Sequence, residues 1–279
     1  MKKTVLLLLI LLIHTVSFAQ KKVTALNQQW LQYYNTTKIS KNWTIKVDGG
    51  YRWNTAFTKP SLYLGRLIAE YKLDPAHILI GAGIATFGTY NAAEKVARIE
   101  IRPNQDFTIN DKYKKFKLQH RFRVEERFFK TISTGATSFN FRFRYRAFFT
   151  IPIVKLSKKN PESQLSLNVG DEIFINAGKS IVTNMFAQNR ILIGPSVQLN
   201  KNWGLSLTYT YEYQSTAKPD SYNASDIFWF AIQHRLDFTG KKGSGKSGTK
   251  GNGNGSGTGG GKENGSGAGD GIGTGTPKE

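Results

Sequence analysis

The sequence predicts an all-β fold: a transmembrane, antiparallel, up-and-down β-barrel of about twelve strands, with ten the next count. Three observations carry that expectation. An export leader precedes the fold, long segments alternate apolar and polar side chains residue by residue, and aromatic side chains gather at the ends of the apolar faces.

The leader occupies residues 1–19. Lys2 and Lys3 form its basic start, and Val5 to Ile13 (VLLLLILLI) form an apolar run too short to span a bilayer. Ser17-Phe18-Ala19 then places small residues at a cleavage site that leaves Gln20 as the mature start. The chain contains no Cys. A lipoprotein anchor, a disulfide framework, a thiolate nucleophile and a cysteine metal site are therefore all excluded. Residues 239–279 reduce almost entirely to Gly, Ser, Thr, Lys and Asn, with Ile272 as their one large aliphatic. Such a composition cannot bury enough apolar surface to offset chain entropy, so a disordered tail is expected there. The folded domain is expected over 20–238. Lys and Arg number 39 against 19 Asp and Glu, a net charge of +20, and that excess favours anionic partners: nucleic acid, lipid phosphate or lipopolysaccharide.

Eleven segments can be marked, starting near residues 28, 43, 61, 77, 94, 115, 138, 163, 186, 203 and 224. In the second, Trp43, Ile45, Val47, Tyr51 and Trp53 share one face, opposite Thr44, Lys46, Asp48 and Arg52. In the third, Tyr63, Leu67, Ala69 and Tyr71 oppose Arg66, Glu70 and Lys72. The stretch from Ile78 to Asn110 alternates poorly, and its strand count is ambiguous. Next, Phe116, Leu118, His120, Phe122 and Val124 oppose Lys117, Gln119, Arg121, Arg123, Glu125 and Arg127. The run FNFRFRYRAFF follows, with Phe139, Phe141, Phe143, Tyr145 and Phe149 opposite Asn140, Arg142, Arg144 and Arg146. Leu165, Leu167, Val169, Ile173 and Ile175 oppose Ser166, Asn168, Glu172 and Asn176. The last two segments read the same way, through Trp203 to Tyr213 and Phe228 to Phe238.

A soluble β-sandwich also alternates. These segments, however, reach the roughly 9–11 residues that a tilted spanning strand needs, whereas soluble strands average about 5–6. The polar face is also too rich in Arg, Glu, Asn and Gln for a solvent-free core, which suits a lumen. In lipid such a sheet must close, because an open edge would leave backbone groups unpaired. Bacterial single-chain barrels usually have an even strand number, which turns eleven marked segments into an expected twelve. Ser40 to Asn42, Asp74 to Ala76, Asn110 to Lys114 and Asn200 to Asn202 read as tight periplasmic turns. Asn54 to Pro60, Lys130 to Thr137, Ala177 to Asn184 and Ser215 to Asn223 read as longer external loops. The final strand ends on Phe238, an aromatic terminal residue of the kind the barrel-assembly machinery favours.

Parity assigns a lumen-facing charged network: Arg121, Arg123, Glu125, Arg127, Arg142, Arg144, Arg146, Glu172 and Arg190, with Glu100, Glu212 and Asp237 on lumen parities elsewhere. Glu125 and Glu172 are the expected partners of Arg142, Arg144 and Arg146. Two outcomes stay open. Cross-strand ion pairs could plug the barrel, or a surplus of arginine could line a narrow porin-like passage for small anionic solutes. Nucleic-acid binding is not expected, because a pleated strand sends neighbouring Phe and Arg to opposite faces. An enzyme is not expected either. The mature chain has only His77, His120 and His234, and no Ser or acid is assignable to them by spacing. A lipid-modifying enzyme and an adhesion protein working through its loops are the alternatives. No metal or cofactor is expected, since the Gly81 and Gly83 pair lacks the helix a dinucleotide fingerprint requires.

Four motifs in order, Leu118–Phe129 (LQHRFRVEERFF), Phe141–Arg146 (FRFRYR), Asp171–Asn176 (DEIFIN) and Gln188-Asn189-Arg190, resemble the DUF2490 family of Bacteroidetes-type outer-membrane proteins, as do Trp30, Trp43 and the Glu100/Arg102 pair. The likeness runs from about Gln29 to Phe238. It implies a barrel in a Gram-negative outer membrane, in contact with outer-membrane lipid and lipopolysaccharide, and it implies no chemistry.

Overall fold

The computed structural model describes residues 21–73, 77–181 and 184–240. The expected leader and nearly all of the Gly-rich tail lie outside these residues. Eleven strands alternate with short connections: β1 (Lys22–Lys38), β2 (Trp43–Asn54), β3 (Lys59–Leu73), β4 (Ile78–Tyr90), β5 (Val96–Lys112), β6 (Lys117–Thr131), β7 (Thr137–Lys155), β8 (Gln164–Ala177), β9 (Phe186–Gln198), β10 (Trp203–Ser215) and β11 (Ser221–Asp237). No helix occurs among the described residues.

Each strand pairs with its sequence neighbours, and β1 pairs with β11 to close the barrel. The closing pair is parallel, from Lys22 opposite Ser221 to Lys38 opposite Asp237. Two expectations are corrected here. The strand number is eleven, not twelve or ten, and the barrel is mixed, not wholly antiparallel. The two corrections share one cause: in an up-and-down chain with an odd strand number, the first and last strands point the same way.

Strand prolines punctuate the ladders, because proline brings no N–H to a hydrogen-bonded pair. Pro60 and Pro152 lie at register shifts. Beside Pro103 the β5–β6 pairing is interrupted, and beside Pro195 the β9–β10 pairing is. At the second of these breaks, a side chain on Gly194 would run into the Leu207 carbonyl and the Thr208 backbone. Only glycine lets β9 and β10 approach there.

Two rims result. One carries the connections 39–42, 113–116, 156–163 and 199–202, the other carries 55–58, 91–95, 132–136 and 216–220. The expected contrast between short turns and long loops largely disappears. The strands extend into the loops, and the longest fully described connection, 156–163, lies on the rim expected to hold only tight turns.

The outer wall follows the predicted parity. Every strand presents at least one exposed large apolar side chain, from Leu31 in β1 and Val47 in β2 to Leu205 in β10 and Phe230 in β11. Aromatic contacts mark both ends of this band. Trp43 meets Tyr71 at 5.0 Å and Tyr113 stacks on Phe116 at 4.7 Å toward the first rim; Tyr51 meets Trp53 at 4.6 Å and Phe128 meets Phe139 at 4.7 Å toward the second. Three outward carboxylates interrupt the band, each hydrogen-bonded across strands: Glu126 to Gln105, Asp171 to Asn189, and Asp226 to Tyr209. Such pairing lowers the cost of placing a carboxylate on an apolar wall.

Candidate functional site

The distinctive chemistry lies inside the barrel. Period-two alternation sends one side chain in two inward, and on β5 to β9 those positions are mostly Arg, Glu, Asp and Asn. The interior at mid-height is filled, not open. Trp30, Phe174, Ile227, Glu125, Asn104, Thr210 and Ser225 are each no more than 2% exposed. Packing is possible on so polar a face because nearly every inward carboxylate is matched by one or more guanidinium groups.

Glu125 on β6 is the centre of the network. One carboxylate oxygen takes a 2.6 Å bond from Arg142, the other a 2.5 Å bond from Arg144, and Arg102 lies 3.5 Å away. Arg144 bridges onward to Glu172 on β8 at 2.7 Å, and Glu172 also accepts from Arg121 at 2.7 Å and lies 3.9 Å from Arg190. Arg190 bonds Glu212 on β10, which also accepts from Gln188 at 3.2 Å. Toward the second rim, Glu100 accepts from Arg102 at 2.6 Å and from Arg127 at 2.7 Å. Toward the first rim, Asp106 takes both ends of the Arg123 fork, and Asp48 holds Arg66 at 2.8 Å and Gln32 at 2.6 Å. A low-dielectric interior strengthens such charge-assisted bonds, and it penalises any group left without a partner.

Aromatic plates fill the spaces between guanidiniums. Arg52 lies 3.6 Å over the Trp30 ring and Arg102 lies 3.8 Å over Phe87. Phe174 receives Arg144 at 4.5 Å and Arg190 at 4.9 Å. Cation–π contact is strongest where, as here, the cation is desolvated. The FNFRFRYRAFF arginines thus do meet aromatic rings: Arg142 and Arg144 lie over Phe174 on the neighbouring strand, and Arg146 lies 5.1 Å over Phe148, two positions on in its own strand.

The expected partners hold for Arg142 and Arg144 but not for Arg146. Although Arg146 stands opposite Glu172 in the ladder, it donates at 2.6 Å to Gln119 and makes no ion pair among the described residues. Arg144 and Arg121 reach that carboxylate instead. Asp237, expected in the lumen, lies exposed at the first rim, 3.8 Å from Lys38. Sequence reading missed Asp106, Asp48 and Arg66 as members of the network. Asp106 falls within the ambiguous Ile78–Asn110 stretch, and the other two become partners only once the β2–β3 register is known.

His120 and His234 both sit on the outer wall near the first rim. His120 bonds the Tyr145 hydroxyl at 2.8 Å, and His234 bonds Tyr33 at 2.7 Å while stacking on Trp203 at 4.0 Å.

Geometry alone places the molecule among closed β-barrels whose interior is a packed, paired-ion core. The sequence matches the family described as Protein of unknown function (DUF2490) over residues 27–223, and the chain belongs to that family. The match covers β1 from its sixth residue and stops as β11 begins. No curated protein matches the chain.

Proposed function

We propose that this chain is an integral outer-membrane β-barrel whose lumen is shut, and that its role is structural and not that of a solute channel. Glu125 carries the reading. It is 1% exposed, sits at mid-height and is held by Arg142, Arg144 and Arg102, so the axis is blocked by a network that cannot open without separating buried charges. Barrels of about eight strands fill with side chains and those of 16–18 leave a channel. Here eleven strands are filled because long guanidinium arms and Trp30, Phe87 and Phe174 reach across.

The membrane assignment is supported by the apolar outer band with aromatic contacts at both ends, whose three carboxylates are each hydrogen-bonded across strands, and by the predicted export leader. Contact with lipopolysaccharide and assembly by the outer-membrane barrel machinery follow from that location. A non-catalytic reading is favoured by the two wall histidines. Each is engaged with aromatic neighbours, and neither bonds a Ser or a carboxylate among the described residues.

Planar-bilayer recording tests the closure. The reconstituted protein is expected to show no steady unitary conductance, whereas the Glu125→Ala/Glu172→Ala double variant is expected to flicker open. A stable anion-selective conductance in the unaltered protein would overturn the shut-lumen reading.

A further inference from the structure

Below the mid-height plug the interior opens into a cup of about 390 Å³ toward the first rim. Its lining includes Tyr34, Gln119, Arg146, Phe148, Trp229 and Arg235. A smaller recess of about 120 Å³ adjoins it, sharing Tyr34, Gln119 and Arg146 and adding Arg121. The polar character of this cup differs from that of the plug above it. Arg146 has no carboxylate partner, its Nε is buried with no acceptor on the protein, and the same is true of the Arg121 Nε and the Trp229 indole N–H. Three buried donors without acceptors therefore belong to residues lining the two neighbouring spaces: Arg146 borders both, Trp229 the cup and Arg121 the recess. The adjoining carboxylates are committed elsewhere: Asp106 to Arg123, Asp48 to Arg66, and Glu172 to Arg144 and Arg121. At the mouth, the Arg235 guanidinium bonds the amide oxygens of Gln198 and Gln233 and makes no ion pair within 4 Å among the described residues, with Glu162 as its one favourable carboxylate neighbour at longer range.

We propose that this cup is a blind binding site for a small organic anion, a carboxylate with an apolar body. A carboxylate is acceptor-only and matches the planar guanidinium fork of Arg146, so it supplies what these donors lack. The apolar body would lie against Phe148, Leu192 and Trp229, which border the same space. Uncompensated cations in a low-dielectric recess favour an anion over its neutral isostere, and Arg235 at the mouth concentrates anions there. The inference rests on the shut-lumen reading in one respect: a plug above the cup makes it a pocket and not one end of a pathway.

The test is calorimetric titration of the full-length barrel in nanodiscs with benzoate, with benzamide as the neutral isostere and inorganic phosphate as the anion without an apolar body. Saturable 1:1 benzoate binding is expected, with benzamide and phosphate each at least about tenfold weaker. Arg146→Gln should weaken benzoate at least about tenfold, and Trp229→Phe, which keeps the ring and loses the N–H, by about three- to tenfold. Heat-modifiable gel migration of both variants verifies folding, and Arg146→Lys provides a second variant that retains charge without the fork. Equal binding of benzoate and benzamide, or benzoate affinity unchanged in Arg146→Gln, would overturn the proposal. Tighter binding of phosphate than benzoate would overturn the apolar-body part of it. Conductance keeps the two readings separable: a conducting barrel that still binds benzoate saturably defeats the plug and leaves the cup, and a silent barrel without binding does the reverse.

Discussion

Glu125 and Arg146 show how two charged residues on adjacent strands come to differ in their consequences. Glu125 satisfies Arg142 and Arg144 directly, so replacing it with Ala strands the buried Arg142 guanidinium and leaves Arg144 with Glu172 alone. Breaking one side of a buried pair costs about 3–5 kcal/mol, and a centre shared by several cations belongs at the upper end of that range. Arg146 leaves no carboxylate behind when it is neutralised, only Gln119. Arg146→Gln is therefore expected to cost about 1 kcal/mol or less, the scale of one ordinary hydrogen bond. Urea unfolding followed by heat-modifiable migration should rank Glu125→Ala far below Arg146→Gln in midpoint. Comparable midpoints would mean that the network shares its charge more evenly than the geometry indicates. Parity alone placed all of the predicted residues except Asp237 inside the barrel, because a period of two is fixed by the pleat. Parity could not say which Arg reaches which acid, since Arg144 spans two strands and takes the carboxylate that register alone gives to Arg146.

At the level of the strand, register and irregularity matter more than composition. Inward Glu100, Arg102, Asn104 and Asp106 on β5 alternate with outward Ile101, Pro103, Gln105 and Phe107. The outward set contains a proline and an amide, so the apolar signal fades, and β5 is hard to recognise where it contributes most to the network. The β4 face has the opposite defect: Gly81 and Gly83 occupy inward positions that carry no side chain to count. In β9, Gly194 and Pro195 together permit the break in the β9–β10 ladder. Gly194→Val should destabilise the barrel by about 1–3 kcal/mol, since the added atoms meet backbone, which cannot rotate away. Gly240, with nothing near its missing side chain and no positive φ, serves as the control for added volume in open space. A Gly194→Val variant with an unchanged unfolding midpoint would show that β9 and β10 can separate at no cost.

For the whole molecule, the odd strand number determines where the chain enters and leaves. The segments read from the sequence already numbered eleven, and the general preference for even barrels is what raised the expectation to twelve. The parallel seam means that Lys22 and Ser221 share one rim while Lys38 and Asp237 share the other. On the proposed membrane-spanning reading, an epitope placed before Lys22 and one placed after Thr239 should therefore lie on opposite sides of the membrane. Whole-cell labelling should reach one of them, and the other only after permeabilisation. Labelling of both under the same condition would require an even count and a different closure.

The seam also sets an order in time. Every other strand pair is a hairpin between sequence neighbours and can form as soon as its two strands exist. The β1–β11 ladder joins residues separated by nearly the whole folded chain, so it has the largest loop-closure entropy of the described strand pairs and is expected to form last. Until then the sheet has two free edges, and hydrocarbon offers those edges no hydrogen-bond partners. For a barrel that spans lipid as proposed, closure and stable residence there are for that reason a single event, and the last seventeen-residue strand completes it.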